Sequence, residues 1–145
     1  NDEQPAAVTA RRSLCDIEHA VRVETHNYDY YYLCTDLRRK RMIPVISKIR
    51  AKTSEEFGEL VHHAGEEFVY VLSGKITVNT EFYDSVTLDV GQSIYIDSSM
   101  GHAYLAAEGC DEAVVLAVMS SADEELLESL MSIHEGQQAT TSQGI

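Results

Sequence analysis

Residues 62–74 read His62-His63-Ala64-Gly65-Glu66-Glu67-Phe68-Val69-Tyr70-Val71-Leu72-Ser73-Gly74. Residues 91–102 read Gly91-Gln92-Ser93-Ile94-Tyr95-Ile96-Asp97-Ser98-Ser99-Met100-Gly101-His102. An extended strand alternates its side chains between two faces, so His63 and Glu67 point the same way, and Val69 and Val71 continue that face. Phe68, Tyr70 and Leu72 form the opposite face, which predicts a strand buried on both sides, as in a sandwich or barrel wall. Gly74 turns the chain. Val86, Leu88 and Val90 alternate again, Gly91 punctuates, and Ile94 to Ile96 begin the strand that leads to His102. Two imidazoles and one carboxylate converging inside such a barrel suit a divalent transition metal with coordination positions left open. Iron, manganese, nickel, cobalt or zinc fits that donor set better than calcium.

At these residues the sequence resembles the cupin superfamily. His63, Glu67 and Gly74 match its first motif, Gly91 and His102 match its second, and the 16 residues from Lys75 to Val90 suit the spacer of small one-barrel cupins. More narrowly, GEEFVYVLSG with GQSIYIDSSMGHAYL, preceded by YDYYYLCTDLRRKRMIPVISKIRAKTSEEFGEL, resembles the C-terminal sensor domain of bacterial helix-turn-helix (XRE-type) regulators, over roughly residues 20 to 120. The resemblance implies an all-β fold, an antiparallel double-sheet jelly-roll barrel, and His63, Glu67 and His102 as metal ligands. The chain departs from the family pattern in places. The family's earlier motif histidine is Val61 here, its second-motif proline is Asp97, its glycine is Ser99 and its late asparagine is Ala106. Three of the four family ligand positions remain.

A chain of 145 residues suffices for one domain with its own core. Lysine and arginine total 11 against 24 acidic residues, a formal charge of −13. Such a surface repels phosphate, so any DNA contact would have to come from a separate helix-turn-helix domain preceding Asn1. No apolar run has the length of a membrane span. Cys15, Cys34 and Cys110 lack paired spacing and read as free thiols of a cytoplasmic protein.

Residues 1–15 read as a polar leader or linker remnant. The barrel is expected over 16–120, with strands near Asp16–Thr25, Tyr28–Thr35 and Met42–Arg50. Pro44 in the third suits an edge or a strand start. Arg38 to Arg41 reads as a solvated turn, and Ala51 to Leu60 as a loop covering one barrel end. Lys75–Val78 pairs with Ser85–Val90, and Ala113 to Met119 is a last apolar strand, for eight or nine strands in all. Ser121 and Glu124 have capping-box spacing, and Leu126, Leu127, Leu130, Met131 and Ile133 follow helical period until Gly136. That predicts one C-terminal helix over 121–136 and a disordered tail over 137–145. The helix stripe favours a homodimer.

Three functions fit these residues. The first is an effector-sensing domain of a transcription regulator, with a small molecule bound inside the barrel near Tyr104, His62 and Tyr95 and no catalytic residue. The second is a small metal-dependent cupin enzyme such as a dioxygenase, and the third a stand-alone binding protein. The regulator resemblance favours the first and leans away from an enzyme. His63, Glu67 and His102 serve either as ligands or as the lining of a metal-free pocket; a buried glutamate without a counter-charge is costly, which favours metal.

Overall fold

Alternation along the strands builds two facing layers in the structure, a computed structural model that describes residues 10–120. In chain order the strands are β1 Val21–Glu24, β2 Tyr28–Tyr32, β3 Met42–Ile49, β4 Glu66–Ser73, β5 Lys75–Thr80, β6 Val86–Asp89, β7 Ser93–Asp97, β8 His102–Ala106 and β9 Ala113–Ser120. The large sheet runs β1-β2-β3-β9-β4-β7 and the small one β6-β5-β8. Every pairing is antiparallel. This is the expected all-β double-sheet barrel. The predicted C-terminal helix and tail lie outside the described residues, as does most of the N-terminal leader.

Between the sheets sits an aliphatic core. Val45, Ile49, Val69, Val71 and Val115 of the large sheet face Ile76 and Val78 of the small one, all buried. Each such side chain contributes about 1.5–3 kcal/mol by leaving water. Tyr28 and Tyr32 are buried among them, so the tyrosine run of β2 serves as strand packing. Pro44 stands near the start of β3, as its missing N–H suggests, but that strand is central, between β2 and β9.

Two expectations change. The far face of β4 is not buried: Tyr70 is 38% and Leu72 43% exposed. Residues 51–60 contain a helical turn, α1 Ser54–Phe57, where only a loop was expected. Thr53 and Glu56 form a capping box that satisfies the first free N–H groups, and Phe57 drops into the core against Tyr28 at 5.7 Å. Arg38 to Arg41 lies in the β2–β3 connection, where Lys40 Nζ donates to the Leu37 carbonyl at 2.8 Å. No helix among the described residues is long and apolar enough to cross a membrane.

Candidate metal centre

His63, Glu67 and His102 come together at one end of the barrel, with one donor atom from each within 4.8 Å of the others. All three come from a single chain, so the cluster is complete without a second copy. Glu67 is the second residue of β4, on the large sheet, and His102 opens β8, on the small sheet. His63 precedes β4 and is fixed through its backbone, donating N–H to the Ser98 carbonyl at 2.9 Å. A two-way backbone bridge between Val61 and His102, at 2.9 and 3.1 Å, holds the approach to His63 beside β8. Val61, where the family carries its additional histidine, thus contributes backbone and leaves its side chain 38% exposed.

Donor geometry favours a cation between the three. Oε1 of Glu67 lies 3.4 Å from His63 Nε2 and 3.2 Å from His102 Nε2. A transition metal with bonds of about 2.1 Å holds neighbouring donors at about 3 Å, so little movement is needed. Both rings are also oriented for ligation. His102 Nδ1 donates to the Met100 carbonyl at 2.8 Å and His63 Nδ1 to the Ala64 carbonyl at 3.2 Å. A carbonyl only accepts, so each neutral ring carries its proton on Nδ1 and offers the Nε2 lone pair to the centre. Two lone pairs facing a carboxylate oxygen repel unless a cation or a proton lies between them. A divalent transition metal fits this set.

The charges follow from the same contacts. Burial alone would raise the pKa of Glu67, but the His102 and His63 rings, which donate from Nε2 once protonated, and the Tyr104 hydroxyl outweigh it and hold the carboxyl well below the usual carboxylate range. For His102 burial favours the neutral ring, and the bond to Glu67 wins and raises its pKa. The Tyr104 hydroxyl, pushed well above its ordinary value by burial and by Glu67, remains a donor.

Around the cluster the remaining candidates separate. Tyr104 is 7% exposed and donates to Glu67 Oε2 at 2.5 Å, so it braces the carboxylate. His62 is exposed at the rim. Tyr95 is 62% exposed on β7 and donates to Glu66 Oε1 at 2.5 Å, so it bonds Glu66 and not a member of the cluster. Reading the sequence missed Ser98, fully buried, whose hydroxyl donates to Glu67 Oε1 at 2.9 Å. Its place four residues before His102 was the available signal, but beside Ser99 nothing marked it.

Fold and site together are those of a cupin-type double-sheet barrel with two histidines and one carboxylate gathered in it. Residues 49–119, just under half of the chain, match the family described as "Cupin domain". It is similar to the (S)-2-hydroxypropylphosphonic acid epoxidase of Streptomyces wedmorensis, 30% identical over 98 residues that cover 63% of this chain and 50% of the relative. The chain therefore spans about half the length of the curated relative it matches. Among solved structures, that of FeII HppE superposes with a TM-score of 0.66 at 21% identity, over 78% of this chain and 62% of the other, a likeness of fold alone. Another, of FeII HppE in complex with substrate, gives 0.54 at 27% identity, over 62% and 52%.

These relatives correct the functional expectation. They are enzymes, named as an epoxidase and solved with FeII, which overturns the reading of a regulator's sensor domain and the lean away from catalysis. Short cupin motifs encode the barrel and its ligands, which sensors and enzymes share, so the resemblance to regulators followed the scaffold and not the chemistry.

Proposed function

We propose that this chain is a metal-dependent cupin oxidoreductase in which His63, Glu67 and His102 hold a divalent metal, Fe(II) first among the candidates. One observation carries the reading: two imidazole Nε2 atoms, with their protons tied off on Nδ1, face an ionised carboxylate oxygen at 3.2 and 3.4 Å. Two histidines and one carboxylate on one side of an ion are the donor set of non-haem iron oxygenases. The relative named as an epoxidase and the 27% identical neighbour solved with FeII support the choice of iron and of oxidation.

Bound Fe(II) would supply the redox partner for dioxygen and open positions for a substrate oxygen. The chain's own groups prepare that site. Tyr104 and Ser98 fix the two oxygens of Glu67, so the carboxylate cannot swing. Met100 and Ala64 carbonyls fix both rings. With Val61 in place of a fourth ligand, more of the coordination sphere is left for substrate. The test is anaerobic titration with Fe(II), followed by oxygen uptake with small hydroxylated substrates, (S)-2-hydroxypropylphosphonate among them. One tightly bound iron per chain and uptake lost in Glu67→Ala are expected. Failure to bind iron, or uptake indifferent to Glu67→Ala, sinks the proposal.

A further inference from the structure

β7 ends the large sheet and β6 ends the small one. Between these free edges opens a crevice of about 570 Å³. Three of its lining residues are cross-strand partners of the metal cluster and its brace. Ile96 pairs with Glu67, Thr80 with His102, and Val78 with Tyr104. Paired residues project to the same face with Cβ atoms about 5 Å apart, so crevice and cluster share a wall. Met100, whose carbonyl orients His102, also lines the crevice.

Its rim has a distinct chemistry. Phe82 and Tyr83 in the β5–β6 turn are each 73% exposed, and Tyr95 is 62% exposed. Asp84 and Asp97 complete the rim, and among the described residues no lysine or arginine lines the crevice. Exposed rings gathered at a cavity mouth mark a contact surface. Aromatic faces attract cations through their quadrupole, and two carboxylates add full negative charge. On a chain of net charge −13, this wall opposes a phosphonate.

We infer that the crevice is the substrate site beside the metal and takes a small organic cation of the ammonium class. This departs from the phosphonic acid in the relative's name. As a substrate site it rests on the oxidoreductase proposed above; as a cation site it stands on the crevice alone.

The test is calorimetric titration of the full chain, metal-free and loaded with Zn(II), with metal content measured on the same samples. The probes are choline, its neutral isostere 3,3-dimethylbutan-1-ol, and (S)-2-hydroxypropylphosphonate. Choline should bind at least about tenfold more tightly than the isostere, as one desolvated charge contact would give. The phosphonate should bind more weakly than either, and the double variant Asp84→Asn, Asp97→Asn should lose the preference for choline. Both aspartates are exposed, so the fold is unaffected, and circular dichroism checks that. The inference is overturned if choline does not bind at millimolar concentration, if the phosphonate binds as well, or if the double variant keeps the preference. Choline binding to protein that takes up no metal upholds the cation site and strikes the oxidoreductase reading instead.

Discussion

Tyr104 donates its hydroxyl hydrogen to Oε2 of Glu67 at 2.5 Å, which leaves Oε1 as the oxygen that faces both imidazoles. The carboxylate is thereby set to bind an ion through one atom. Tyr104 is itself held, since its backbone N–H donates to the Tyr28 hydroxyl at 3.0 Å.

Replacing Tyr104 with phenylalanine removes that single donor and keeps the ring. A buried carboxylate oxygen left without its partner costs about 1–3 kcal/mol of stability. Loss of an outer-shell partner typically lowers metal affinity by about 10- to 100-fold. Thermal unfolding of metal-free protein and Co(II) titration report the two effects separately. An unchanged Co(II) affinity would mean that Tyr104 only packs.

The histidines should rank by burial. His102→Ala leaves Glu67 ionised and deprived of the more buried of its two histidine partners, costing about 3 kcal/mol. His63, whose side chain is 18% exposed, should cost about 1 kcal/mol on replacement. Either change should abolish stoichiometric metal on elemental analysis, while His62→Ala should keep it and shift stability by about 0.5 kcal/mol at most. Metal retained in His102→Ala would exclude that ring as a ligand.

Acid sensitivity should come in part from a second site. Asp29, only 6% exposed, lies 2.5 Å from Arg50 Nη1 and 3.0 Å from Arg22 Nη2. Burial opposes its ionisation, but the two guanidinium groups prevail and lower its pKa. A carboxylate with a depressed folded pKa contributes stability above its unfolded value of 3.8, lost as pH falls through the lower folded value. Asp29→Asn should therefore cost about 1–2 kcal/mol at neutral pH, both arginines being partly exposed, and the cost should vanish in strong acid. Parallel stability curves for variant and parent across that range would refute the assignment.

Two motif glycines should differ in tolerance. Gly74 has φ +79°, and a Cβ there would meet Cys110 Sγ at 2.8 Å and the Glu112 carbonyl at 3.0 Å. Gly91 has φ +90° but open space beyond the Tyr70 hydroxyl at 3.9 Å. Alanine at Gly91 bears only the backbone strain, about 1 kcal/mol, and at Gly74 about 2–3 kcal/mol with the clash added. Denaturant midpoints measure both, and equal losses would discount the contact.

The strand pattern was legible because Val69 and Val71, Val86 and Leu88, and Ile43 and Val45 alternate at period two, and a two-layer barrel buries what alternates. Parity pointed to the meeting of His63 with Glu67, but His63 lies before β4 across a bend at Ala64 and Gly65, so the bend and not strand alternation brings the two together. What was hidden lacks a side-chain signature. The Met100 and Ala64 carbonyls orient the rings through backbone atoms, and any residue could supply them. Ser98 gains its role only because β7 and β4 pair in register. The turn α1 was written in Thr53 and Glu56, but four residues are too few for a helical period to show.

Glu67 belongs to the large sheet and His102 to the small one, while His63 sits on the connection between Val61 and β4. An ion held by all three would act as a clasp across the two layers, a role that disulfides fill in other small barrels. A ligand that binds only the folded chain adds roughly 2.7 kcal/mol at 100 times its dissociation constant. Melting temperature would then serve as a gauge of occupancy, and the unclasped barrel would part first at the end where, among the described residues, the isolated Val61–His102 bridge joins β8 to the segment approaching β4.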